Sequence, residues 1–311
     1  MIRTESTPEA CRALWEAFSP HLRPWDEWEL MSAYHDAQRY GLQFLVHEAH
    51  GEPDGMLPLV HDRQDESYEL YGGCYADNRV LWLRPEDFPA FFEHLPQQTV
   101  FFDLNGDCVR EILRLHPQYQ DHFADQDQRF FLVPAAFGFD FANHINTFSG
   151  DKRSGFLYDL RKIRQLEPVI RWSSDDESEL FIRLSNQNFG AESDYVAEAG
   201  QQELRRVARA LAELGYLRTI TIEISGGKEA VALCAMYKNT MTVMYSSSNN
   251  GFKNLGKLLN VETIQEGCRL RVEEINYMTG MQWKANWKMD SETCYTLRKP
   301  ARAQSTSGQS S

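Results

Sequence analysis

The first half of this 311-residue sequence lacks lysine, and the second half lacks histidine. Residues 1–150 hold 25 acidic side chains against 10 arginines, whereas residues 151–311 hold 22 basic and 20 acidic side chains. This break in composition favours a domain boundary near residue 150, with uneven surface composition as the alternative. The acidic first half disfavours DNA binding, because affinity for nucleic acid depends largely on Lys and Arg at the phosphates.

Several common catalytic and metal-binding motifs are also missing. No histidine follows His144, which excludes a Ser-His-Asp or Cys-His site within the second half. Neither GxxxxGK[ST] nor GxGxxG occurs. The six cysteines are scattered without a CxxC pair, which is typical of free thiols. His47 and His50 fall on a predicted strand, where they face opposite sides, so the sequence predicts no metal site.

Long apolar runs are absent. No stretch approaches the roughly 20 apolar residues that cross a bilayer. The opening residues 1–5 carry no apolar signal core. The sequence therefore predicts a cytoplasmic protein with no membrane span.

Strand and helix patterns alternate in both halves and predict a mixed α/β (α+β) fold. The principal elements expected are a hairpin over 43–60, a helical stretch from 140 to about 167, strands at 217–224, 229–238, 240–247 and 271–276, and helices at about 255–267 and 279–287. We divide the chain into an N-terminal domain (1–139), a C-terminal domain (140–300) and a Ser/Gln-rich tail (301–311) whose composition is typical of disorder.

A basic segment opens the second half. Its positive side chains are Lys152, Arg153, Arg161, Lys162, Arg164 and Arg171. If residues 152–166 are helical, one face carries an apolar stripe of Leu157, Leu160, Ile163 and Leu166. Tyr158, Arg161 and Lys162 flank that stripe. Such a helix can bind a phosphate, a carboxylate or a tRNA end, or it can simply be a solvated charged face.

A second candidate lies at the start of the predicted helix 255–267. Gly256 stands between Asn254 and Lys257, and Lys253 precedes them. Free backbone N–H groups at a helix start attract anions, and glycine lets a ligand approach them closely. The alternative is an ordinary helix start with Asn254 as its N-cap.

A third candidate lies near the end of the chain. Trp283 and Trp287, and likewise Lys284 and Lys288, stand four residues apart on a predicted helix. The tryptophans are expected at the edge of the core, and the lysines either reach a substrate anion or are solvated. Polar clusters at 186–190 and 245–250 and the Gly-rich segment 71–78 are either site loops or plain turns.

Three stretches resemble, in their order along the chain, the GNAT-like domain of Fem-type aminoacyltransferases and cellulose-biosynthesis proteins, the BioF2-like acetyltransferase group. They are Lys152 to Arg164, Asn254 to Leu259 and Asn276 to Lys288. The resemblance covers roughly 140–298, and more weakly 40–135, where the family has a degenerate first unit. It implies two tandem GNAT-like units with a cleft between them. The family usually has an acidic residue where Asn276 and Tyr277 stand here, so an acid–base role does not transfer to that position.

The resemblance implies an N-acyltransferase that moves an acyl or aminoacyl group from acyl-CoA, or from aminoacyl-tRNA, to the amine of a small molecule or peptide. Leu258 replaces the last small residue of the usual CoA loop, which disfavours CoA, whereas the acidic first half disfavours tRNA. The other functional class is a non-catalytic GNAT-like module that recognises a polar metabolite or a partner.

The resemblance also assigns roles to the candidate residues. The donor-binding residues are Lys253, Asn254, Gly256, Lys257 and Tyr245. The substrate-binding residues are Arg153, Tyr158, Arg161, Lys162, Trp283, Lys284 and Lys288. With no histidine nearby, Glu223 at the end of its strand is the candidate general base.

Overall fold

A computed structural model describes residues 1–73, 76–123 and 125–300 of the chain. The strands are β1 (Ile2–Glu5), β2 (Tyr40–Leu42), β3 (Phe44–Ala49), β4 (Glu52–Leu57), β5 (Leu59–Asp62), β6 (Ser67–Leu70), β7 (Thr99–Asn105), β8 (Asp125–Leu132), β9 (Val169–Ser173), β10 (Leu217–Ile224), β11 (Gly227–Tyr237), β12 (Thr240–Ser248), β13 (Glu274–Thr279) and β14 (Asp290–Lys299). The α-helices are α1 (Pro8–Phe18), α2 (Trp28–Tyr34), α3 (Phe88–His94), α4 (Gly106–Leu115), α5 (Phe141–Asn146), α6 (Gly150–Arg164), α7 (Ser178–Phe189), α8 (Glu198–Glu213) and α9 (Leu255–Leu270).

The chain forms two compact units. The first contains Met1–His21, His35–Gln128 and the residues from 292 onward, and the second contains Leu22–Tyr34 and Arg129–Ser291. Both units combine strands with helices, which confirms the mixed α/β fold. The domain boundary at 139/140 and the cleft stay predictions. The tail 301–311 lies outside the described residues.

The first unit contains a small antiparallel sheet in the order β1-β3-β4 and, in its larger sheet, the order β2-β5-β6-β7-β14. The predicted hairpin over 43–60 includes the pair β3–β4, in which Leu45 lies opposite Leu57. Phe88, Phe91 and Phe101 are fully buried in the core of this unit. Apolar burial of this kind is the main force that stabilises such a layer arrangement.

In the second unit the strand order is β8-β13-β12-β11-β10-β9. Alternate residues of β11, among them Ala232 and Cys234, belong to the core that α6 and α9 share with the sheet. Between them, Val231 and Leu233 are just as buried and point to the opposite face, where α7 packs. A sheet buried on both faces explains the nearly continuous apolar run of this strand.

The helical stretch predicted for 140–167 is interrupted. It forms α5 and α6, and the apolar stripe of α6 consists of Phe156, Leu160 and Ile163. Leu157 and Leu166 are 42% and 45% exposed, so the predicted stripe of Leu157, Leu160, Ile163 and Leu166 does not form one buried face. Residues that follow one another at spacings of three are displaced around a helix by about 60° at each step, so four of them do not share one face. Residues spaced alternately by four and three, as in the observed stripe, stay on one face.

Two further element boundaries differ from the expectation. The strand predicted at 271–276 begins at Glu274, because α9 continues to Leu270 and Arg271 ends it in a left-handed conformation. The helix predicted at 279–287 is a 3₁₀ helix, Gln282–Trp287. Within the described part of the chain, no helix is both long and apolar enough to cross a membrane. Its cysteines are free thiols, and Cys74 is not among the described residues.

One close contact fixes α9 against the sheet. A Cβ atom at Gly267 would lie 2.5 Å from Cδ1 of Ile275 on β13. This distance is well inside van der Waals contact, so the helix can approach the strand this closely only with glycine.

We expect Gly267→Ala to destabilise the protein by about 1–3 kcal/mol, because the added methyl group overpacks the contact with Ile275. Gly155→Ala is the matched control, since nothing lies within 4 Å of its Cβ position on α6. It should stabilise the protein by about 0.5–1 kcal/mol through the better helix propensity of alanine. Urea unfolding of both variants measures the two effects, and equal stability of the two would contradict the close contact.

Candidate functional site

The parallel strands β12 and β13 separate part-way along their length. Their register covers Thr240 to Thr242 on β12, although β12 continues to Ser248. On the other side of β12, Val243 lies opposite Cys234 and Tyr245 lies opposite Leu233, so Met244 is an extra residue. Such a β-bulge leaves its extra residue outside the regular ladder. The bulge therefore lies just beyond the point where the two strands part.

The end of β12 leads directly to the start of α9. Asn254 occupies the N-cap position in a left-handed conformation, and its side chain makes no capping bond. A Cβ atom at Gly256 would lie 3.0 Å from Oγ of Ser248, so glycine allows the last residue of β12 to lie close to the first turn of α9. The ordinary capping role of Asn254 is thus not observed.

An ion pair joins α6 to the first turn of α9. The Nζ atom of Lys257 donates to Oδ2 of Asp159 and lies 5.2 Å from the ring centroid of Phe156. The hydrogen bond from Lys257 is the main cause that holds the pKa of Asp159 below its usual range, and the side chain of Asn254 and the charge of Lys253 act in the same direction. A carboxylate from α6 is therefore paired with the lysine of the first turn of α9.

Two cavities lie beside this ion pair. The larger one, of about 380 Å³, is lined by Tyr158, Asp159, Lys162, Ile163, Leu166, Gly251, Phe252, Lys253 and Asn254. The smaller one, of about 310 Å³, is lined by Asp151, Lys152, Gly155, Phe156, Asp159, Lys257, Asn286 and Trp287. The basic helix and the loop before α9, which are about 100 residues apart in the sequence, thus form one surface. We call the larger cavity the α6–α9 cavity.

Not every predicted substrate-binding residue reaches these cavities. Tyr158 and Lys162 line the α6–α9 cavity, and the ammonium of Lys162 lies 5.6 Å from the centroid of the Tyr158 ring. Arg161 is exposed, and Arg153 lies 3.5 Å from Oδ1 of Asn146. Neither arginine lines either cavity.

The closing segment of the domain is held by main-chain contacts. Lys284 is buried, and its Nζ atom donates to the carbonyl oxygens of Met278 (3.2 Å) and Thr279 (3.0 Å). Lys288 donates to the carbonyl oxygen of Thr147. Trp283 is 37% exposed and packs edge-on against Tyr277 and Trp287. These contacts give the two lysines a structural role.

Glu223 and Tyr245 lie outside both cavities. Oε1 of Glu223 accepts a hydrogen bond of 3.0 Å from Nε of Arg171 on the neighbouring strand β9. The hydroxyl of Tyr245 lies 3.0 Å from that of Tyr34, and its ring packs edge-on against Phe181 of α7. Burial raises the pKa of Tyr245 well above its ordinary value. The ring of Tyr245 therefore belongs to the α7 face of the sheet.

Sequence reasoning missed Asp159, Phe252 and the bulge at Met244. Asp159 is visible in the sequence only as an acidic exception within a basic helix. Its partner Lys257 follows 98 residues later, and no local pattern joins the two.

The first unit repeats the arrangement of parallel strands, but there the chain itself fills the space between them. β6 and β7 pair through Tyr68 and Thr99. Beyond this pair, the backbone of Arg79 forms two hydrogen bonds with β7. Its N–H donates to the carbonyl oxygen of Asp103 (2.9 Å), and its carbonyl oxygen accepts from the N–H of Asn105 (2.7 Å).

The guanidinium of Arg79 fixes this segment from the other side. It is buried and donates to the carbonyl oxygens of Tyr71 (2.6 Å) and Gly73 (3.2 Å), which directly follow β6. The Gly-rich segment 71–78, predicted as either a site loop or a turn, therefore contributes to a closed structure here. Cys74 and Tyr75 of that segment are outside the described residues.

One group of side chains in the first unit has the spacing of a metal site. Ligand atoms of His47, Asp54 and Asp87 lie within 4.8 Å of one another. The guanidinium of Arg84 bonds both carboxylates, at 3.0 Å to Asp54 and 2.7 Å to Asp87. The positive charge that these carboxylates need is thus already supplied by the protein.

Residues 151–289, which contain both cavities and the bulge, match the family model described as "Acetyltransferase (GNAT) domain". These residues form a GNAT domain. The match confirms the predicted GNAT-type acyltransferase family for this part of the chain. A comparison of the sequence with curated proteins finds no match.

Solved structures extend the likeness over both units. FemX is 9% identical, with a TM-score of 0.58, and the match covers 94% of this chain and 96% of FemX. L-PGS from Bacillus licheniformis is 12% identical, with a TM-score of 0.56 and coverage of 96% and 93%. A tandem GNAT protein from the clavulanic acid biosynthesis pathway is 8% identical, with a TM-score of 0.51 and coverage of 97% and 100%. At these identities the comparison establishes the shared fold alone.

The last histidine of the chain anchors one wall of the smaller cavity. Nε2 of the buried His144 lies 2.8 Å from the carbonyl oxygen of Trp287. Burial is the main cause that lowers the pKa of His144, and the hydrogen bond to Trp287 opposes it.

Because the folded state binds the proton of His144 less readily than the unfolded state, we expect stability to be lost as the pH falls below about 6.5. His144→Asn should reduce this loss, leaving a smaller one from His35, whose pKa burial also lowers. Urea unfolding of both proteins at pH 7.5, 6.5 and 5.5 checks this. The same pH dependence in the two proteins would show that His144 contributes nothing.

Proposed function

We propose that the GNAT domain transfers an acyl or aminoacyl group from an activated carrier to the amine of a small molecule or peptide. The observation that carries this proposal is the separation of β12 from β13 at the Met244 bulge, directly before the loop that leads to α9. The carbonyl of the transferred group binds between the parted strands. There the backbone N–H of the bulge donates to the oxygen on which negative charge develops.

The α6–α9 cavity suits the carrier. Lys162 and Lys253 place two positive charges on its rim, and Tyr158 and Phe252 add aromatic rings. Both acyl-CoA and aminoacyl-tRNA carry phosphate groups together with an adenine ring. Cationic side chains bind the phosphate groups, and aromatic side chains stack on the ring. The resemblance to Fem-type proteins favours the aminoacyl ester as donor.

The reaction depends more on the positioning of the two reactants than on covalent catalysis. Holding the amine against the activated carbonyl supplies much of the acceleration. The C–N bond forms, the C–S or C–O bond to the carrier breaks, and the proton that leaves the amine ends on the released thiol or hydroxyl of the carrier. Since Glu223 is paired with Arg171 and lies outside both cavities, we assign removal of that proton to water.

The first unit does not take the carrier in this proposal. Arg79 fills the space between β6 and β7 with its backbone and binds the carbonyl groups after β6 with its side chain. The chain itself thus fills the space between the corresponding strands of the first unit, and this proposal places the donor between β12 and β13 of the second unit.

The test combines binding and transfer. The protein should be stabilised thermally by its carrier, because a ligand of the native state raises the melting temperature. We would measure melting with CoA and acetyl-CoA, and transfer from acetyl-CoA and from a mixture of aminoacyl-tRNAs to amine acceptors. No stabilisation and no transfer with either carrier class would overturn the enzymatic proposal and favour the non-catalytic module.

Charge reversal locates the carrier. The double variant Lys162→Glu/Lys253→Glu should bind the carrier at least tenfold more weakly, because charge-assisted hydrogen bonds contribute about 1.5–3 kcal/mol each. The matched control is Arg209→Glu, which reverses an exposed charge on α8 away from the cavity lining. If the double variant keeps the affinity of the control, the carrier binds elsewhere.

A further inference from the structure

We propose that Asp159 determines which carriers the GNAT domain accepts, because its carboxylate occupies the place at the start of α9 that a carrier diphosphate would take. This inference rests on the proposed function, since it concerns the same donor site. It predicts that the unaltered protein discriminates against diphosphate-linked carriers such as CoA.

The start of α9 would otherwise be suited to an anion. The first N–H groups of a helix have no intrahelical partner, and the helix dipole adds partial positive charge at the same end. Lys257 on the first turn adds a full charge, and Gly256 removes the Cβ that would keep an anion at a distance. These are the residues on which the sequence places the donor phosphate.

The lysine of this start is paired with Asp159, because its Nζ atom donates to Oδ2 of that carboxylate. The neighbouring Asn254 and Lys253 also help to hold the pKa of Asp159 below its usual range. Lys257, which would bind a phosphate, therefore already binds a negative charge that belongs to the chain.

Asp159 is also held firmly at this place. Asp159 flanks the stripe of Phe156, Leu160 and Ile163, which buries one face of α6 in the core. One turn beyond Asp159, Arg164 pairs with Glu262 of α9 at 2.9 Å, so two ion pairs link the same two helices. The carboxylate cannot leave without a rotation of its own side chain or a shift of α6.

The position of Asp159 between the two cavities defines its effect. It lines both of them, and its side chain is 29% exposed. A diphosphate at the start of α9 must either displace this carboxylate from Lys257 or lie beside it and be repelled. A carrier whose phosphates contact only Lys162 and Lys253 at the rim avoids that repulsion. Asp159 therefore discriminates between carriers by where their phosphates lie.

Asp159→Asn tests this directly, because asparagine keeps the shape and removes the charge. We would titrate the full chain with inorganic pyrophosphate and with CoA by calorimetry. We expect the variant to bind both ligands at least tenfold more tightly than the unaltered protein. The gain should shrink at high salt, because the repulsion that is removed is electrostatic.

The matched control is Glu167→Gln, which removes the same charge from an exposed position just beyond α6 and outside both cavity linings. It should leave both affinities unchanged. Equal gains in the two variants would reveal a general charge effect and overturn the proposal, as would no gain in Asp159→Asn. Asp159→Ala provides the same test if the asparagine variant unfolds.

The double variant Asp159→Asn/Lys257→Met distinguishes pyrophosphate binding at Lys257 from binding elsewhere in the cavity. It should lose the gained pyrophosphate affinity, because the freed ammonium of Lys257 is the group that binds the ligand. A gain that persists without Lys257 would overturn the assignment.

Failure of this inference is distinguishable from failure of the proposed function. If the unaltered protein transfers from any carrier while Asp159→Asn shows no gain in pyrophosphate affinity, only the role of Asp159 is overturned. If no carrier supports transfer, the proposed function fails, and the pyrophosphate titrations still decide whether Asp159 blocks the start of α9.

Discussion

The contact between Gly267 and Ile275 fixes α9 on the sheet of the second unit, and the geometry of the site depends on it. Because the C-terminal half of α9 lies so close to β13, the direction of the helix is set and its first turn comes to lie beside the end of β12. At the N-terminal end of α9, Gly256 allows a similar close contact with Ser248. Two glycines thus place a helix start next to the gap between β12 and β13.

The charge around the α6–α9 cavity differs from the net charge of the chain. The chain has a net charge of −13, yet the α6–α9 cavity is bordered by lysines from two elements. One further lysine of this region, Lys257, is already paired with Asp159. What a ligand encounters depends on which positive charges are still available, and a count of basic residues along the chain does not reveal that.

The two units show how one strand arrangement can lead to different outcomes. In both, a parallel pair begins in register and then stops, at Tyr68–Thr99 in the first unit and at Thr242–Asn276 in the second. In the first unit Arg79 satisfies the exposed backbone groups from within the chain. In the second, a bulge follows the parting of the strands. Backbone groups at such a gap need partners, and the chain or a ligand can provide them.

The sequence by itself determined the mixed α/β fold, the main strands and helices of the second half and the family, because periodicity, helix-start signals and motif order are local or ordered along the chain. It also identified Lys162, Lys253 and Asn254, which do meet at one cavity. The tertiary structure alone decided that Leu157 and Leu166 are exposed, that Glu223 pairs with Arg171, and that Asp159 binds Lys257. Each of these depends on which helix face or strand edge meets a residue far away in the sequence, and that is set by packing, which local patterns do not encode.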